Sequence, residues 1–130
     1  MTTAALLATS RQELALYQEL WAVYGRLAAG LADPQADVTG VADDGARAAA
    51  VTAALRELGA TLAPHRVSPD TLHADVTAVW RESAILAAAA AETNRTLQAA
   101  ARRRQEVVAA KLTRIATGTT ATARYRHASA

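Results

Sequence analysis

From Asp70 to Thr117 the chain runs 48 residues without a glycine or a proline, with Ser68 and Pro69 directly before the run and Gly118 directly behind it. Ser68 suits the N-cap of a helix, Pro69 its first position, and Asp70 adds negative charge where the helix dipole is positive. The run predicts a single helix over about residues 69–117. At roughly 1.5 Å per residue such a helix measures about 70 Å, more than a compact domain can bury end to end, so part of it is expected to face water or a partner.

Of the 130 residues 36 are alanine and none is phenylalanine, which favours helix throughout and leaves little bulk for a core. A first helix is predicted over about residues 3–32. Its large residues Leu7, Leu14, Tyr17, Trp21, Tyr24 and Leu31 stand three, four or seven apart, which puts them on one stripe, with Leu6, Leu20 and Leu27 beside them, and Asp33-Pro34 ends it. Residues 33–45 read as a loop. A second helix over about residues 44–62, capped by Asp43 or Asp44, has the stripe Ala48, Val51, Leu55, Leu58 and Leu62 and ends at Pro64. The third carries Leu72, Val76, Val79, Trp80, Ser83, Leu86, Ala90, Thr93 and Leu97, then Ala101, Val108, Leu112 and Ile115. Between Leu86 and Leu97 only alanine and threonine hold the track, which predicts close helix approach. Residues 118–130 lack periodicity and read as a flexible basic tail. The fold class is all-α: one helical domain over residues 1–117, an elongated antiparallel three-helix bundle or long helical hairpin with coiled-coil character.

The chemistry-bearing residues point away from catalysis. There is no cysteine, no Gly-x-Ser-x-Gly and no glycine-rich loop opening a helix. His65, His73 and His127 lack ligand partners at metal-binding spacing, so no metal and no cofactor is expected. The N-terminus has no basic region before its short apolar stretch, and no stretch approaches 18 uncharged apolar residues. A cytosolic protein is expected.

Charge is unevenly spread. Residues 1–94 carry 6 Arg against 11 Asp and Glu, and residues 95–130 carry 8 Lys and Arg against Glu106 alone, so the two parts sum to −5 and +7. Arg102-Arg103-Arg104, Lys111, Arg114, Arg124 and Arg126 make the last part basic. Val107, Val108, Leu112 and Ile115 make it apolar as well, on a stretch that a 30-residue first helix is too short to cover. An isolated amphipathic segment gains stability only when its apolar face is buried. A basic amphipathic helix suits an acidic partner helix, and it suits phosphates.

The order of elements resembles that of FlgN-type flagellar export chaperones. The likeness lies in a long first helix, the loop Leu31-Ala32-Asp33-Pro34, a second helix ending in Leu55-Arg56-Glu57-Leu58, and a long third helix containing Glu92-Thr93-Asn94-Arg95-Thr96-Leu97. That last stretch is similar to the family's Asn-Arg-x-Leu, and Tyr125 stands where the family carries a tail tyrosine, although Arg126-His127-Ala128 follows it in place of a glycine. The resemblance implies a cytosolic chaperone of the flagellar type III export system. It further implies that the C-terminal half of the third helix binds the amphipathic C-terminal helix of hook–filament junction proteins, and that Tyr125 lies in the segment meeting the export gate. The partner-binding residues expected on this reading are Asn94, Leu97, Arg104, Val107, Val108, Leu112, Ile115 and Tyr125. Two alternatives stay open: a basic helical nucleic-acid-associated protein, and a coiled-coil module that forms homo-oligomers.

Overall fold

The computed structural model describes residues 1–67 and 73–129, with the side chains of His127 and Ser129 excepted. Three helices make up the described chain: α1 (Thr3–Ala32), α2 (Val38–Arg66) and α3 (Ala74–Ser129). The fold is an all-α helical bundle, with no strand among the described residues. Ser68, Pro69, Asp70 and Leu72, assigned above to the start of the third helix, lie outside the described residues. The chain divides into two compact units, Met1–Leu97 and Gln98–Ala130.

Helix α1 has the predicted bounds, and local chemistry explains both ends. The Thr2 hydroxyl accepts a bond from the Ala5 N–H at 3.1 Å, and Asp33, held extended before Pro34, stops the helix. Helix α2 starts earlier than the predicted residue 44. Asp37 is its N-cap, accepting from the Thr39 N–H at 3.0 Å, while Asp44 is engaged elsewhere, bonded by Arg26 of α1 at 3.2 Å. The predicted stop at Pro64 is also corrected, since α2 continues to Arg66. Pro64 cannot donate to the Ala60 carbonyl, yet the helix runs two residues beyond it. His73 opens the described part of α3, its Nδ1 accepting from the Asp75 N–H at 3.2 Å. Gly118 does not end α3, and the predicted tail is helical as far as Ser129. Thr113, Thr120 and Thr122 each turn the hydroxyl onto the carbonyl four residues back at 2.9 Å, which keeps a threonine-rich stretch compatible with helix.

In the first unit α1 and α2 run antiparallel, tied by Arg26 with Asp44 at one end, Arg47 with Glu19 midway, and Arg66 with Glu13 at the other. Gly30 lets α2 come close, for a Cβ there would meet the Val41 methyl at 2.9 Å. Leu20, Val23, Ala48, Val51, Leu55 and Ala90 form one core cluster, and Leu6, Leu62 and Val76 a second. The first part of α3 therefore runs alongside α1 in the same direction. Its buried residues Val76, Ser83, Ala90 and Leu97 stand seven apart, the repeat of a coiled-coil seam.

Two expectations about packing change and a third holds. The buried track of α1 is Leu6, Ser10, Glu13, Leu20 and Val23, and Trp21 is 50% exposed. Two polar residues occupy the true track, so counting large apolar side chains selected a neighbouring one. The alanines of α3 leave a cleft of about 450 Å³, lined by Tyr17, Tyr24, Leu55, Ala87, Ala90 and Asn94 among others, where close approach was expected. Side chains this small cannot fill the space facing two tyrosines. In α2 the stripe is as predicted at Ala48, Val51, Leu55 and Leu62, with Leu58 half-buried.

Leu62 is fully buried, so Leu62→Ala is expected to destabilise the protein by about 2–5 kcal/mol. Trp21→Ala, although it removes more atoms, should cost less than about 1 kcal/mol. Urea unfolding followed by circular dichroism compares the two.

Candidate functional site

Two places carry side chains that the packing of the fold does not account for, one in each unit. In the second unit no described side chain is buried; Ala100 and Ala101 are half-buried and the others exposed. Val108 is 49%, Leu112 61% and Ile115 65% exposed. At 100° per residue these three and Ala101 fall within an arc of about 60°, a narrow apolar stripe on one helix. Beyond Ile115 the stripe opens into a shallow surface groove lined by Gly118, Thr119, Thr122, Ala123 and Arg126, which alternate at spacings that put them on one face.

Arginine and lysine surround this stripe. The unit holds seven Arg and Lys against Glu106, and by helical position Arg104 and Lys111 flank the stripe on one side. Arg103 bonds back to the Ala99 carbonyl at 3.4 Å, which holds its side chain along its own helix.

The predicted partner-binding residues do not form a single patch. Val108, Leu112 and Ile115 share a stripe, and Arg104 borders it. Val107, also exposed, lies about 100° round the helix from Val108, on the side of Arg114 and Tyr125. Tyr125 is 75% exposed and helical, where a flexible segment was expected. Asn94 and Leu97 belong to the first unit: Asn94 lines the alanine-walled cleft, and Leu97 is buried as the last residue of the seam.

The second place was not foreseen. Where α1, α2 and α3 meet in the first unit, a cavity of about 210 Å³ is lined by Glu13, Tyr17, Arg66, Trp80, Ser83, Ala84 and Ala87. The Glu13 side chain is only 3% exposed and is bonded by the Arg66 guanidinium, which also lies over the Trp80 ring, 5.0 Å from its centre. The Trp80 indole N–H donates to the Ser10 hydroxyl at 2.8 Å. Burial, followed by the nearby Glu13 carboxylate, raises the Tyr17 phenol above its ordinary pKa. These residues lie far apart in sequence. The available signal was polar side chains at core positions, Ser10 and Glu13 on the α1 track and Ser83 on the α3 seam.

Among the described residues no group of three His, Asp or Glu side chains is placed to hold a metal ion, and no helix is long and apolar enough to cross a membrane. Compared with known proteins, the chain matches no family model, no curated protein and no solved structure.

Removing one partner of a buried ion pair leaves the other charge without compensation. With Glu13 buried and Arg66 partly exposed, Arg66→Ala is expected to destabilise by about 1–3 kcal/mol, and Glu13→Leu combined with Arg66→Met to recover most of that loss. Denaturant midpoints of the single and double variants test this.

Proposed function

We propose that this chain is a non-catalytic helix-docking protein, a cytosolic chaperone that covers the amphipathic C-terminal helix of a flagellar hook–filament junction subunit before export. The observation that carries the reading is the stripe of Val108, Leu112 and Ile115, exposed on the segment after Leu97, where seven Arg and Lys stand against Glu106. Helices in water draw most of their stability from covering an apolar face, and this face has no cover within its own unit. Burying an exposed aliphatic side chain contributes at most about 1.5–3 kcal/mol, so three or four give at most about 5–12 kcal/mol against an association cost of about 4–15 kcal/mol, the balance of a weak, reversible complex that needs contacts beyond the stripe. The flanking arginines and lysine steer an acidic partner and set its register, contributing more to rate and selectivity than to strength.

The order of helices and the stretch from Glu92 to Leu97 favour the flagellar assignment. On this reading Leu112 and Ile115 anchor the cargo helix, Val108 and Arg104 border it, and Tyr125 lies toward the export gate. Leu97 is buried in the first unit and Asn94 lines its alanine-walled cleft, so neither belongs to the docking stripe.

In the full chain, Leu112→Asp and Ile115→Asp should each weaken binding of a hook–filament junction C-terminal helix at least about 100-fold, measured by calorimetry. Raising salt from about 50 mM to about 200 mM should change that affinity less than tenfold, whereas six or more phosphate contacts would lose about 10³-fold or more. Unchanged affinity in both variants overturns the proposal, and steep salt dependence with DNA or RNA replaces it by the nucleic-acid reading. A mass that rises with concentration, without cargo binding, replaces it by self-association.

A further inference from the structure

We propose that the cavity among Glu13, Tyr17, Arg66, Trp80 and Ser83 binds a small zwitterion of the amino-acid class, independently of helix docking by the second unit. All three helices contribute to it, so it forms only in the folded bundle. Ser83 is buried, lines the cavity, and its hydroxyl has no hydrogen-bond partner. Thr52 and Thr93 in the same bundle place their hydroxyls on the carbonyl four residues back, at 2.8 and 3.0 Å, and Ser83 does not use that option. A buried hydroxyl without a partner costs free energy, and a ligand in the cavity that bonds it removes that cost.

The distribution of charge selects the ligand. The Glu13 carboxylate lines the more buried part of the cavity together with Ser83; Arg66 bonds its Oε1, and its second oxygen can accept from an ammonium group. Arg66, whose side chain is 36% exposed, stands toward solvent and bonds Glu13 through one nitrogen, leaving the rest of its planar fork for a carboxylate. A purely anionic molecule would meet Glu13, and a purely cationic one would meet Arg66. A molecule with an ammonium at one end and a carboxylate at the other matches both. The volume of about 210 Å³ and the Ala84 and Ala87 methyl groups leave room for a small side chain.

Thermal unfolding of the full chain with glycine, L-alanine or L-serine at about 10 mM, against methylammonium and acetate at equal concentration, tests the proposal. At least one zwitterion should raise the midpoint by about 4–8 °C, with each singly charged probe giving less than a quarter of the effect. Ser83→Ala should unfold no earlier than the parent without ligand, having lost an unpartnered hydroxyl, yet bind the zwitterion at least about tenfold more weakly. Three results overturn the proposal: no rise with any of the three amino acids, a rise matched by methylammonium or acetate alone, or a rise of equal size in Ser83→Ala, which is solvent exclusion and not binding.

Discussion

A helix persists in water where its apolar face is covered, and this constraint divides the chain at Leu97. Up to that residue α3 buries one side chain in every seven: Val76, Ser83, Ala90 and Leu97. The next three positions of the same register are Arg104, Lys111 and Gly118. A seam of that kind cannot enter a core, since two long charged side chains and a glycine offer nothing to bury. The apolar residues reappear on Val108, Leu112 and Ile115, out of step with the sevens. The same sequence change that ends the bundle's seam thus begins the stripe read here as a docking surface.

The first unit has to make a core from few large side chains, and it does so by admitting polar groups that find partners. Glu13 is tolerated because Arg66 compensates its charge and Trp80 covers the guanidinium, while Ser10 takes the indole N–H. A pair buried this way adds little net stability over apolar residues of the same volume. It does fix which turn of α2 lies against α1, in agreement with the Arg47–Glu19 and Arg26–Asp44 pairs further along.

Helix content, the bounds of α1 and the buried stripe of α2 were legible because alanine, leucine spacing and Asp33-Pro34 act locally. The misread elements depended on competition between residues. Asp43 and Asp44 were the expected caps of α2, but the helix begins at Asp37, and Asp44 is engaged by Arg26 of α1, a tertiary bond that local sequence does not announce. Gly118 signals a helix end by propensity, but the helix runs through it to Ser129, with the hydroxyls of Thr113, Thr120 and Thr122 satisfied on carbonyls one turn back. The exposed residues of the candidate docking stripe were legible from charge and spacing, though not the separation of Val107 from the other three. The cavity was not, because it is assembled from residues between Glu13 and Ala87 that look ordinary in their local context.

Hydrogen exchange on the full chain addresses the central claim, that the stripe beyond Leu97 is completed by a partner helix. With the protein alone, amides between Arg104 and Arg124 should exchange far faster than those around Val23 and Leu62, and adding a hook–filament junction C-terminal helix should slow the exchange at Val108, Leu112 and Ile115 specifically. Protection at these three that already equals the core's in the isolated protein, and does not change with the helix present, would contradict the account.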